Sequence, residues 1–230
     1  MDKQLSEWLS NIELANDRTA LDLAEKLFKT ELRTIYLKFF HVLINEVKSQ
    51  FRCYCDRNNI SSNIRVSLKI VSPVEGKEVR EWEVFTVYRD QETFDTIGVG
   101  DTEDPHLIKD NTAFDAVAYH LEKAYCSNDL VALGGKYRNT SRRWEDKYNA
   151  TMVVPIRYLP EKSKGELMLF GFLAVDSNNA DRIDLFSSAL DSEHMNIMGG
   201  SADIGAAMLT KYMKVEAFVS NQFSEKRKII

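Results

Sequence analysis

The sequence predicts an α+β protein in which helices cover both sides of a central antiparallel sheet of about five or six strands. Two apolar runs, 148–159 and 167–177, flank a short polar turn and predict a β-hairpin. Both runs are apolar at nearly every position, which places the hairpin in the middle of the sheet. Long stretches with apolar residues at three- and four-residue spacing near both termini predict the covering helices.

Composition excludes several classes of protein. The 230 residues are 44% hydrophobic and 28% charged, which is typical of one large globular domain or of one domain with an added helical segment. The formal net charge of -5 argues against nucleic-acid or membrane-surface binding. The sequence shows neither a run of about 18 apolar residues nor a secretory signal. We therefore expect a cytoplasmic protein.

The two ends of the chain are predicted to be helical. Residues 2–16 form a short amphipathic helix, and a much longer one starts near Thr19 and ends within 56–59. Its apolar stripe is wider than one small sheet can cover. Packing in a homodimer is therefore favoured over a helix that covers only its own domain, and residues 1–58 are assigned to a helical segment that does both.

The first strands follow this helix. Residues 63–71 and 79–88 alternate polar and apolar side chains, which predicts an antiparallel pair toward an edge of the sheet with one wet face. The acidic stretch 90–110 contains glycines and a proline and is predicted to be a loop. Its Asp101, Glu103, Asp104 and His106 lack the spacing of a calcium loop, so a solvated loop is favoured over a metal site.

The segment before the hairpin carries the candidate binding residues. A helix opens at Asn111 or Thr112 as its cap, and a basic and aromatic loop occupies 136–148. Arginine binds carboxylates and phosphates, and aromatic rings stack on planar ligands. The predicted ligand-binding residues are Asn111, Phe114, Tyr137, Arg138, Arg142, Arg143 and Trp144. The alternative is that Arg142 and Arg143 pair with the acidic loop or stand in solvent.

After the hairpin, the last helix is capped by Asp191 or Ser192. It begins there or, because Gly199 and Gly200 are poor helix formers, near Ser201. Small residues in this helix predict close packing against another helix. The sheet domain is assigned to 59–220, and 221–230 to a basic, disordered tail.

The hairpin also carries a family resemblance. Its strands read ATMVVPIR and GFLAVDS, with Gly171 and Asp176 in the second, and together with the flanking helices they resemble the GAF domain family, a PAS-related small-molecule sensory fold. The resemblance covers about residues 25–218. Asn111, Phe114 and Asp115 follow the order of a cyclic-nucleotide signature in some members, but the later Asp-Glu pair is missing.

This resemblance implies a stand-alone sensory or regulatory domain of bacterial type that binds a small anionic or ring-bearing molecule. The expected partners are a second copy of the chain and a separate effector protein. One alternative is a dimerisation or scaffold module without ligand. A second is a GAF-type free methionine sulfoxide reductase, although Cys53, Cys55 and Cys126 do not match the required cluster. The four histidines are scattered, so no catalytic residue, metal or cofactor is assigned.

Overall fold

A computed structural model describes residues 2–93, 106–139, 144–158, 167–178 and 184–230. The chain forms two compact units, Met1–Phe39 with Ala207–Ile230, and Phe40–Ala206. The long helices α2 (Arg18–Arg57) and α5 (Glu193–Arg227) supply residues to both units. Within the described part of the chain, each helix is too short or too polar to cross a membrane.

The first unit is helical and is held together by aromatic side chains. It contains α1 (Asp2–Leu14) with the start of α2 and the end of α5. The Trp8 ring meets Phe28 edge-on with centroids 4.8 Å apart, and Phe28 lies 6.1 Å from Phe223. The helix α5 continues to Arg227 and therefore includes most of residues 221–230, which the sequence assigns to a tail. Phe223 in this segment is only 1% exposed, and its ring contact with Phe28 explains why the helix continues there although the neighbouring residues are polar.

The second unit contains a six-stranded sheet in which all neighbouring strands are antiparallel. Its spatial order is β3-β2-β1-β6-β5-β4. The strands are β1 (Ile64–Ser72), β2 (Glu83–Arg89), β3 (His106–Leu107), β4 (Tyr125–Ser127), β5 (Ala150–Tyr158) and β6 (Met168–Ser177). The predicted hairpin is β5 and β6, and it lies inside the sheet as expected.

The predicted antiparallel pair is β1 and β2, and it lies toward one edge of the sheet, next to the two-residue edge strand β3. The polar side chains of β1, for which the sequence predicts a wet face, line a cavity. Pairing of β1 with β6 is especially close at Gly171, where a Cβ atom would stand 2.0 Å from the carbonyl oxygen of Lys69.

Helices cover both faces of the sheet, which confirms the predicted fold class. On one face, α3 (Thr112–Ala118) places Phe114 over Phe172 with stacked rings 4.6 Å apart. On the other face, a Cβ atom at Gly205 of α5 would lie 3.6 Å from Phe40 and 3.7 Å from Leu43 of α2, and 3.9 Å from Ile156 of β5. The predicted close approach of α5 to α2 therefore occurs at Gly205.

Several element boundaries differ from expectation. Residues Val79–Glu81 form a 3-10 turn, so the second strand starts at Glu83. The short strands β3 and β4 are additional, because each depends on pairing with a neighbour and not on its own sequence pattern. A further helical turn follows Asp129 as α4 (Leu130–Leu133).

The helix boundaries are close to those predicted. The helix α2 ends at Arg57, within the predicted range. Ser192 accepts a hydrogen bond from the backbone of Met195 (3.2 Å) at the start of α5. The helix then continues through Gly199 and Gly200.

Candidate functional site

A cavity of about 70 Å³ lies on the α3 side of the sheet. Its floor is formed by the strands, and its walls by the start of α3 and the segment that precedes β5. The polar and charged lining residues are Arg65, Ser67, Lys69, Thr86, Arg89, Thr93, His106, Asn111, Tyr137, Asn139, Lys147, Tyr148, Thr151 and Asp176. The apolar lining includes Phe114, Val153 and Ala174.

Positively charged side chains predominate among the charged lining residues that the structure describes. Arg65 and Lys69 project from β1, Arg89 ends β2, and Lys147 precedes β5, whereas Asp176 supplies the carboxylate. Side chains two residues apart on a strand share one face, which brings Arg65 and Lys69 to the same side. Among the described lining residues, four cationic side chains accompany one carboxylate, which favours an anionic occupant.

Asp176 of β6 is half-buried, and it lines the cavity. The hydroxyl of Thr151, its partner across the β5–β6 pair, donates a hydrogen bond to its Oδ1 (2.6 Å). Burial raises the pKa of Asp176, although the Thr151 hydrogen bond and the charges of Lys69, Arg89 and Arg65 act in the opposite direction. The carboxyl group is therefore easier to protonate than an exposed aspartate.

Two tyrosines and an asparagine form a polar wall above the floor. Asn139 donates from Nδ2 to the hydroxyl oxygen of Tyr148 (2.5 Å) and, more weakly, to that of Tyr137 (3.4 Å). Burial raises the pKa of both tyrosines, and the charge of Asp176 raises it further. Both phenols therefore remain protonated and can donate hydrogen bonds toward a ligand.

The opposite end of the cavity is apolar. Phe114, Val153 and Ala174 belong to a buried cluster that also contains Phe172. Lys69 stands at the boundary, because its ammonium group donates to Thr86 (2.6 Å) and lies 5.8 Å from the centre of the Phe114 ring. A ligand in this cavity can therefore have its charge at one end and its carbon atoms at the other.

Three of the predicted binding residues line the cavity: Asn111, Phe114 and Tyr137. Asn111 also caps α3, since its Oδ1 accepts hydrogen bonds from the backbone of Ala113 (3.0 Å) and of Phe114 (3.3 Å). This settles the choice of cap between Asn111 and Thr112 in favour of Asn111. The cap fixes the start of α3 against the cavity.

The structure places two others away from the lining. Arg138 lies 3.4 Å from the carboxylate of Asp115, which Arg80 binds with two hydrogen bonds (2.9 and 3.0 Å). Trp144 is buried with Leu130 and Tyr137 in a small apolar cluster. Arg138 and Trp144 thus support the wall of the cavity from behind. Arg142 and Arg143 lie outside the described residues, as do Asp101, Glu103 and Asp104 of the acidic loop.

Sequence reasoning missed most of the charged floor. Arg65, Lys69 and Arg89 come from strands interpreted as having a wet face, and Thr151 and Asp176 come from a hairpin interpreted as core. The feature of the sequence that could have indicated this charged floor is the alternation of Arg65, Ser67 and Lys69 with apolar residues on one strand. A polar face on a central strand indicates a cavity, but the central position of β1 follows only from the sheet order.

The cavity wall is linked to α2 through a buried carboxylate. Thr93, which lines the cavity, donates to Asp90 from its backbone nitrogen (3.0 Å) and from its hydroxyl (2.7 Å). The ammonium group of Lys48 on α2 donates to the same carboxylate. The backbone nitrogen of Val66, another lining residue, donates to Oδ2 of Asp90 (2.8 Å). Asp90 therefore connects β1, the cavity wall and α2.

The three cysteines are free thiols, and they are not among the described residues that line the cavity. Across the described ranges, no group of three or more His, Cys, Asp or Glu side chains is arranged to hold a metal ion. Burial, with a smaller contribution from the charge of Asp184, raises the pKa of Cys126 to about 11. Burial also raises the pKa of Cys55, and Cys53 is exposed on α2.

Comparison with known proteins does not assign this chain to a family. No protein-family model and no curated protein matches the chain. Among solved structures, a red/green cyanobacteriochrome in its red light-absorbing state is 17% identical, with a TM-score of 0.48 over 77% of this chain and 97% of that one. A far-red cyanobacteriochrome photoreceptor is 11% identical, with a TM-score of 0.46 over 81% and 95%. We take neither ligand nor activity from these proteins.

Proposed function

We propose that this chain is a GAF-like sensory or regulatory domain that binds a small anionic molecule in the cavity between the sheet and α3. The observation that carries the proposal is the lining itself, since its described residues include four cations, Arg65, Lys69, Arg89 and Lys147, and one carboxylate, Asp176. A concave site with a few convergent polar groups and an apolar end is the usual form of a small-molecule site. The sequence resemblance to GAF domains supports the same function.

The size of the cavity favours a ligand of few atoms. Pockets for drug-sized molecules occupy about 300–1,000 Å³, whereas this one measures about 70 Å³. An inorganic oxyanion or a short carboxylate matches that space better than a nucleotide. The missing Asp-Glu pair in the sequence also disfavours cyclic nucleotides of the kind that some GAF domains bind.

The hydrogen bonds of Asp90 can transmit the effect of ligand binding from the cavity to α2. A ligand that moves Thr93 or β1 changes the hydrogen bonds on the Asp90 carboxylate, which Lys48 of α2 shares. Such a ligand acts only if it binds two arrangements of this network with different affinity. In this proposal, the output of α2 is read by a separate effector protein.

Isothermal titration with inorganic phosphate, sulfate and short carboxylates tests the anion site. Replacement Arg65→Gln removes a cation from the cavity, and we expect the affinity to fall about tenfold or more. Arg33→Gln is the matched control, because Arg33 is an exposed arginine of α2 and does not line the cavity. Unchanged affinity in Arg65→Gln, or no binding of any anion by the native protein, would contradict the proposal.

We also propose that the protein is a homodimer. In the helical unit, Leu23 (68% exposed), Leu27 (46%) and Phe218 (49%) leave apolar surface in contact with solvent. Apolar helix surface of this kind supports self-association. Native mass spectrometry of the protein and of Leu23→Ser/Leu27→Ser measures the assembly. A dimer that persists while no anion binds would favour the scaffold alternative.

The thiols give little support to the reductase alternative. A nucleophilic cysteine needs a lowered pKa, whereas burial raises the pKa of Cys126 to about 11 and that of Cys55 as well. An assay for reduction of free methionine sulfoxide tests the point directly. Turnover that is lost in Cys126→Ser would establish the reductase function instead.

A further inference from the structure

Asp176 is the one carboxyl group among the described residues that line the cationic cavity, and its presence there requires an explanation. Asp176 uses Oδ1 to accept the hydrogen bond of Thr151, and part of the carboxyl surface faces the cavity. Lys69, Arg89 and Arg65 are close enough to influence it electrostatically, as are the phenols of Tyr137 and Tyr148. A site made only for a simple anion would gain affinity by lacking this group, because like charges repel.

The position of Asp176 resolves this conflict if the ligand has a hydrogen-bonding group next to its charge. The floor of the cavity offers two different kinds of contact on three consecutive strands: the cations of β2 and β1, and the carboxyl group of β6. Arginine side chains bind a carboxylate through paired hydrogen bonds. A carboxyl group of a protein can form a hydrogen bond with a hydroxyl group.

We propose, on the basis of the anion site described above, that the ligand is a small hydroxy acid. Its carboxylate binds Arg65 and Arg89, and its hydroxyl group binds Asp176, which is the specificity-determining residue of the cavity. The short carbon chain then lies toward Phe114, Val153 and Ala174 at the apolar end.

A hydroxyl group suits Asp176 in either of its protonation states. A hydroxyl donates to a carboxylate and accepts from a carboxylic acid. Because burial raises the pKa of Asp176, both states of this group are closer in free energy than for an exposed aspartate. A ligand ammonium group, by contrast, would pair well only with the ionised form and would also face four cations.

Titration calorimetry with matched pairs of acids tests the proposal on the native protein. Lactate is compared with propionate, and malate with succinate, since the members of each pair differ only by the hydroxyl group. We expect the hydroxylated member to bind about tenfold more tightly, the effect of one hydrogen bond to a charged group. In Asp176→Ala, the difference within each pair should fall to about twofold or less.

Asp203→Ala is the matched control, because Asp203 is an exposed aspartate of α5 outside the cavity, and it should keep the native preference. Circular dichroism verifies that both variants fold, and the native comparison stands even if Asp176→Ala does not. Equal binding within the native pairs would overturn the hydroxy-acid assignment while leaving the anion site intact. Binding of phosphate without any carboxylate would do the same. Failure of phosphate, sulfate and all four acids to bind would overturn both proposals.

Discussion

Lys48 of α2 and Asp90, the residue that follows β2, form a buried ion pair. The exposed fractions of Lys48 and Asp90 are 5% and 0%, and the ammonium group donates directly to the carboxylate. The carboxylate is fully satisfied, because Val66 and Thr93 also donate to it. Lys48 further contacts Glu92 at 3.0 Å, and Glu92 is largely exposed. The sheet and α2 are therefore joined by charge as well as by apolar packing.

Replacement Lys48→Met should destabilise the protein by about 3–5 kcal/mol, because it leaves the Asp90 carboxylate buried without its cation. Urea denaturation followed by circular dichroism measures the change. Lys38→Met on the same helix is the control, since Lys38 is exposed, and it should change stability by less than about 0.5 kcal/mol. A loss below about 1 kcal/mol in Lys48→Met would show that Asp90 does not depend on this pair.

The same carboxylate predicts acid sensitivity. Burial alone would raise the pKa of Asp90, but hydrogen bonds from Lys48, Val66 and Thr93 together outweigh burial and lower it. A lowered folded-state pKa means that the stabilisation is complete above the unfolded-state pKa of about 3.9 and is lost as the pH falls through the lower folded-state pKa.

The contribution of Asp90 to the free energy of unfolding should therefore be nearly constant above about pH 5. It should decrease as the pH falls from about 4. Urea titrations at a series of pH values from 6 to 2 measure this profile. Asp90→Asn should unfold at lower urea throughout and show a shallower decrease on acidification. Identical slopes for the two proteins would mean that other carboxylates cause the acid sensitivity.

Gly171→Ala should be strongly destabilising, by about 3 kcal/mol, because the new Cβ would stand 2.0 Å from the carbonyl oxygen of Lys69 and the β1–β6 pairing must shift. Gly199→Ala provides a contrast within the same protein. Its Cβ would meet nothing within 4 Å in α5, so the gain in helix propensity should stabilise the protein by about 0.5–1 kcal/mol. Thermal denaturation of the two variants should give shifts of opposite sign, and equal shifts would contradict this assignment.

Cys126 should be slow to react with alkylating reagents. With its pKa raised to about 11, only about one thiol in a thousand is ionised at pH 8, and the thiolate is the reactive form. Mass spectrometry of peptides after a timed iodoacetamide pulse should show Cys53, which is exposed, modified at least about tenfold faster. Denaturant should abolish the difference, and fast alkylation of Cys126 in the native protein would revive a catalytic role for it.

Local patterns in the sequence predicted the elements that depend on their own residues. The hairpin of β5 and β6 was predicted because both strands are long and apolar, and the end of α2 because polar residues interrupt its periodicity. The short strands β3 and β4 could not be predicted in this way. Each has two or three residues and exists because a longer neighbour supplies its hydrogen bonds.

For the candidate site, too, the sequence indicates some residues correctly and not others. Asn111, Phe114 and Tyr137 were predicted from one continuous segment, and they line the cavity. Arg138 and Trp144 belong to the same segment but turn toward Asp115 and toward Leu130. Composition of a loop indicates which chemistry it can supply, whereas the direction of each side chain depends on what packs against it.

By itself, the sequence determined the α+β class, the central hairpin and the long terminal helices, because hydrophobic periodicity is a local property of the chain. Only the tertiary structure decided that the polar face of β1 lies inside, next to Asp176 of β6. Residues 65 and 176 are far apart in the chain but meet as partners across adjacent strands, since Arg65 pairs with Asp176 in the β1–β6 register. The charge of the cavity therefore arises from strand order and register, which local patterns do not specify.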